Sequence, residues 1–267
     1  MDLFLAGYLG LGLVAGFVAG LLGVGGGLVM VPFLTWAFAV QGYTADYNIH
    51  LALATSLGVI VLTSVSSLRA HHEHGAVDWA VVGRLAPGIL AGTLLGSLAA
   101  AWLTDFSLKV FFTLFLFYAA TQMLLGFKPA PGRAFPGWVG ASLAGGGIGL
   151  VSSWVGIGGG TLTVPFLLWC AVDLRRAIGT SSAVGFPIAV AGTAGYVISG
   201  QSVPGLPPHS LGFVHLPALL AIAAGAWLTA PLGARATHRW PVARLKRIFA
   251  GLLYLFGVRM AYGLLAG

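Results

Sequence analysis

Two runs of three glycines and two Thr-Ser pairs give this chain its candidate binding groups. Gly25, Gly26 and Gly27 sit in Leu22-Gly-Val-Gly-Gly-Gly-Leu-Val-Met-Val-Pro32, and Gly158, Gly159 and Gly160 sit in Val155-Gly-Ile-Gly-Gly-Gly-Thr-Leu-Thr-Val-Pro165. Each glycine costs a helix about 1 kcal/mol relative to alanine, so three in a row break it. A break inside an apolar run frees backbone N–H and C=O groups that lipid cannot satisfy. Such backbone must be buried in protein or line a polar cavity. The helices that restart near Leu28 and Thr161 would aim their N-termini at that cavity, where free N–H groups and the helix dipole favour an anion. Thr55 with Ser56, and Thr180 with Ser181, add hydroxyl donors that hold an anion without burying a full charge. His50 and Arg175 stand just ahead of these pairs and could attract an anion, or snorkel to an interface.

Blander readings compete. Glycines also permit close helix crossing, and Ser or Thr in an apolar helix also bonds its own backbone or a neighbouring helix. What favours a site is that both elements occur twice, in one order. Gly12, Gly16 and Gly20 are matched by Gly145, Gly149 and Ser153 at an offset of 133 residues. Ala52-Leu-Ala-Thr-Ser56 is matched by Ala177-Ile-Gly-Thr-Ser181, and Leu108-Lys109 by Leu245-Lys246. The ridges Gly12/Gly16/Gly20 and Gly88/Gly92/Gly96 read as helix-packing surfaces.

Membrane spans carry these residues. Of 267 residues, 58% are hydrophobic and 7% charged, whereas a soluble domain carries about 25% charged residues. Segments near 3–22, 28–40, 49–68, 79–103 and 107–126 recur as 136–155, 161–171, 177–199, 212–235 and 244–264. A span needs about 20 apolar residues, so 28–40 and 161–171 are short, and full crossing is open for both. The chain divides into an N-terminal membrane repeat, 1–127, a cytoplasmic linker, 128–135, and a C-terminal membrane repeat, 136–267. The N-terminus reads as the first span and not as a signal peptide.

Eleven basic residues fall on one side of the resulting topology: Arg69, Arg84, Lys128, Arg133, Arg175, Arg176, Arg235, Arg239, Arg244, Lys246 and Arg247. Only Lys109 and Arg259 fall on the other. The rule that basic loops stay inside makes the first side cytoplasmic and accounts for the net charge of +7 with no nucleic-acid partner. Five segments per half put the two halves in opposite orientations, an inverted repeat. The fold expected is therefore an all-α integral membrane protein of two inverted-topology repeats, with 8–10 transmembrane helices, some glycine-broken.

All six acidic residues lie at the terminus or in loops, which disfavours a cation substrate. The His71-His72-Glu73-His74 cluster reads as a solvated loop, and Cys170 as a packing residue. Neither metal nor cofactor is expected. GxSxG, HExxH and GxxxxGK[ST] are all missing, so no enzyme is indicated.

The paired GxGGG…Pro runs and the Thr-Ser elements resemble the sulfite exporter TauE/SafE family of membrane permeases over essentially the whole chain. The first half carries Ala54 where the second has Gly179. The resemblance implies a multi-pass inner-membrane carrier for sulfite, an organosulfonate or a similar small oxyanion. The function expected is secondary export of that anion by alternating access. An anion channel, or a carrier for a non-sulfur organic anion, is the alternative. The partners expected are the anion and the lipid bilayer, and a homo-oligomer is compatible with the sequence.

Overall fold

The computed structural model describes residues 2–22, 26–43, 45–126, 132, 134–236 and 242–266. Among these are ten α-helices: α1 (Asp2–Leu22), α2 (Gly27–Val40), α3 (Asn48–Glu73), α4 (Trp79–Ala100), α5 (Asp105–Leu125), α6 (Trp138–Val155), α7 (Gly160–Trp169), α8 (Leu174–Gly200), α9 (Leu216–Ala236) and α10 (Val242–Ala266). Seven of them, α3 to α6 and α8 to α10, are long and apolar enough to cross a bilayer. The chain is an all-α, multi-pass integral membrane protein. The 14 residues of α2 and the 10 of α7 give lengths of about 21 and 15 Å. Neither covers a hydrocarbon core of about 30 Å. The glycine breaks therefore leave two half-length helices. α9 starts at Leu216 and not near 212, because a two-residue β-hairpin precedes it: β1 (Ser210–Leu211) pairs antiparallel with β2 (Val214–His215). Gly212, at φ 54°, makes its turn.

Helix pairing crosses between the halves of the chain. α1 packs chiefly on α9, and α4 on α6; α3 packs on α8, and α5 on α10. The glycine ridges are the contact surfaces of the first two pairs. A Cβ on Gly12 would overlap the backbone of Ile222, and one on Gly16 the backbone of Ala226. In the same way Gly88 abuts Ser142, and Gly92 abuts Gly146. These approaches are of the small-residue kind that lets helix backbones touch where lipid offers no hydrophobic driving force. Contact positions rise together along both pairs, so α1 runs parallel to α9 and α4 parallel to α6. By contrast, Leu57 meets Gly192 while Ser67 bonds Ser182, so α3 and α8 are antiparallel. Phe117 meets Gly257 while Thr121 bonds Tyr254, so α5 and α10 are antiparallel too.

Carboxylates sit at helix ends, where they satisfy N–H groups left without intrahelical acceptors. Asp78 caps α4 by accepting from Ala80 and Val81 N, and Asp173 caps α8 by accepting from Arg175 and Arg176 N. Asp105 opens α5, accepts from Ile49 N at 2.7 Å and pairs with Lys109. Arg69, at the end of α3, pairs with Glu73, and Arg175 donates to His74 O at 3.1 Å. The Arg-rich ends of α3 and α8 thus share one end of the bundle, and Lys109 lies at the other.

Candidate functional site

The second glycine break is buried among α3, α8 and the first break. Gly156 ends α6 in the left-handed region, at φ 66°, a conformation that glycine adopts at little cost. Its carbonyl accepts from Ser56 Oγ at 2.8 Å. Gly158 faces Ile60 of α3 and Gly185 of α8, and Gly159, the N-cap of α7, faces Ile188 of α8. The first break closes against this segment. Gly26 is its left-handed turn, at φ 69°, and its carbonyl accepts from Val29 and Met30 N at 3.1 Å. A Cβ on Gly27 would overlap Gly156 O and stand 3.1 Å from Ile157 Cα. Two breaks 133 residues apart in the chain are therefore in van der Waals contact. Gly25 lies outside the described residues.

Both Thr-Ser pairs are buried. Thr55 Oγ1 accepts from His215 N, and Thr180 Oγ1 accepts from Asp78 N, each at 3.0 Å. Each threonine thus holds the residue that opens a helix of the other half, α9 and α4 respectively. Ser56 ties α3 to the second break, whereas Ser181 donates within its own helix to Ile178 O at 3.2 Å. His50 is fully buried against Tyr47 and Phe213, with Nε2 at 2.9 Å from Ala100 O. It takes no snorkelling position. Arg175 is exposed on the α3–α4 turn. The two are not brought together.

A further polar set surrounds the second break. Thr161 and Thr163, in the first turn of α7, and Ser152, near the end of α6, are buried, and their hydroxyls have no partner among the described residues. Thr163 Oγ1 points back at Gly159, 2.8 Å from where its Cβ would be. The N–H groups of Gly158, Gly159 and Thr161 also lack acceptors among the described residues. The two copies do carry a signal for this set: Leu28 and Met30 stand in the first where Thr161 and Thr163 stand in the second.

Among the described residues, no Lys, Arg, Asp or Glu is buried. The centre therefore offers neutral donors only. Beside it, His215 accepts from Ala218 N through Nδ1 at 3.3 Å and lies among Tyr8, Phe38 and Tyr43. Burial pushes its pKa down to about 4. An apolar groove of about 590 Å³ lies elsewhere, on the α1–α9 face, lined by Leu5, Leu9, Pro217 and Leu220.

A family model for the sulfite exporter TauE/SafE matches residues 8–260. The chain belongs to the sulfite exporter TauE/SafE family. It is 38% identical to a probable membrane transporter protein of Haemophilus influenzae, over 93% of this chain and 95% of that one. It is 27% identical to the probable membrane transporter protein YunE of Bacillus subtilis, over 94% and 95% of the two chains. YdhB of the same organism, also a probable membrane transporter protein, is 28% identical over 90% and 96%. No solved structure matches the chain. Like the family and these relatives, the chain is a membrane transporter and not an enzyme.

Proposed function

We propose that this TauE/SafE member is a secondary transporter that exports a small sulfur-containing anion, sulfite or an organosulfonate, across the inner membrane by alternating access. In this reading residues 1–127 and 136–267 are inverted-topology repeats. The glycine breaks form one substrate site, with N–H donors from Gly25–Gly27 and Gly158–Gly160 and hydroxyls from Thr55, Ser56, Thr180 and Ser181. The observation that carries it is the contact of Gly27 with Gly156 and Ile157. Two helix interruptions in mutual contact, inside a centre without charged side chains, suit a site that must release as well as bind. Supporting it are the reciprocal pairings, α1 with α9 and α6 with α4, and the matched bonds of Thr55 and Thr180. Under a two-fold exchange of the halves each contact maps onto its partner. Arg69, Arg84, Arg175 and Arg176 would mark the cytoplasmic end and concentrate the anion there.

Counterflow in proteoliposomes tests the proposal. Vesicles loaded with unlabelled sulfite should accumulate labelled sulfite transiently, with saturation. Flux linear in concentration, with no stimulation from the opposite side, would identify a channel. A preference for carboxylates would remove the sulfur assignment while leaving the carrier.

A further inference from the structure

The two breaks are alike in backbone and unlike in side chains. We propose that within this shared site the anion is held asymmetrically, chiefly at the second break: Thr161 and Thr163 hydroxyls, with the N–H groups of Gly158 and Gly159, form a neutral cradle selective for a monovalent oxyanion. This rests on the transporter reading above and names the substrate class of its site.

Buried hydroxyls normally have partners, and an orphan calls for an explanation. Thr163 is fully buried and Thr161 nearly so, at 7% exposure. Both hydroxyls lack partners among the described residues, as do the N–H groups of Gly158, Gly159 and Thr161. Four residues of the stretch 158–163 thus bring several free donors to the start of one ten-residue helix, whose dipole also favours negative charge. Thr163 Oγ1 is directed at the break itself. The corresponding positions of the first break are Leu28 and Met30, which offer no hydroxyl and pack in the core. An oxyanion can accept from several donors at once. With no buried Lys or Arg among the described residues to compensate a second charge, desolvating a divalent anion is disproportionately costly, because the Born penalty grows with the square of the charge.

The test uses the full-length protein in proteoliposomes, with methanesulfonate and sulfate as probes. Wild type should take up methanesulfonate with a KM at least about tenfold below that for sulfate. Removing one donor to a charged acceptor costs about 10- to 100-fold in affinity. Thr163→Val should therefore raise the methanesulfonate KM by that factor, and Thr161→Val with Thr163→Val by more, while Thr163→Ser stays within about twofold. Thermal stability without anion gives a readout that a structural role would move the other way. The valine variants should melt at or above the wild-type temperature, because the hydroxyls removed have no partner. A wild-type KM in the valine variants, a lowered melting temperature, or a preference for sulfate overturns the proposal. Saturable flux that ignores both valine substitutions overturns this inference alone. Absence of saturable flux of sulfite, methanesulfonate and sulfate in wild type overturns the transporter reading and the cradle with it.

Discussion

Gly27→Ala puts a methyl group where the two glycine breaks touch. The new Cβ would overlap the carbonyl oxygen of Gly156 and crowd Ile157 at 3.1 Å. These obstacles are mainly backbone, so no rotamer change clears them. Gly156 is itself held by Ser56 and by its own left-handed turn. Overpacking a well-filled site costs about 1–3 kcal/mol. Alanine recovers part of that through helix propensity, at most about 1 kcal/mol, and less at the first residue of α2. A net loss of about 1–2 kcal/mol lowers the melting temperature by about 2–8 °C. The assay is thermal unfolding in detergent beside initial export rate in proteoliposomes, with Gly7→Ala as control because nothing lies within 4 Å of its notional Cβ. Gly7→Ala should be neutral or slightly stabilising. Gly27→Ala should be less stable and, because it biases the packed breaks by more than RT, slower in export. Wild-type stability and rate for Gly27→Ala would refute the contact between the breaks.

Other expectations follow from single bonds. Thr55→Val and Thr180→Val each strand a backbone N–H, of His215 and Asp78, and should each cost about 1–3 kcal/mol; the serine variants should restore most of it, as read by thermal unfolding. His215 is held neutral by burial with its pKa near 4, below the ordinary 6.5. Its protonation favours the unfolded chain, so its contribution to stability is full above pH 6.5 and is lost as pH falls towards 4. His215→Asn, which keeps an acceptor for Ala218 N without titrating in this window, should flatten the pH dependence of melting between 6.5 and 4. An unchanged slope would show that His215 does not control it.

The helices were legible in the sequence because the bilayer leaves few choices: long apolar runs must be helices, and the glycine triplets had to break two of them. The packing role of Gly12, Gly16, Gly88 and Gly92 was legible for the same reason, since small residues four apart make a ridge. Partners of those ridges were not, because pairing of α1 with α9 and of α4 with α6 is a long-range choice that spacing does not encode. The hairpin at 210–215 escaped because its four strand residues are too few for a period. At the site, contact between the breaks was an expectation from symmetry alone. The Thr-Ser pairs stand out in the sequence, but their spacing does not encode that Thr55 and Thr180 serve as acceptors for backbone N–H groups of the opposite half. Gly179 differs from Ala54 for a local reason: a Cβ there would overlap Ala76 at the α3–α4 turn. Thr161 and Thr163 were visible as departures between the copies, yet only their lack of partners in the fold gives that departure meaning.

On this reading both breaks belong to one site reached from each side in turn. Cysteine accessibility is the decisive measurement. In a Cys170→Ser background, Leu28→Cys and Ile157→Cys place one thiol at each break, both at positions now buried. Each is labelled with a membrane-impermeant thiol reagent applied from one face of oriented vesicles and then from the other. Both thiols should react from both faces, at different rates, and the same transported anion should protect both. Labelling of either thiol from one face only, or protection of one break without the other, would contradict it.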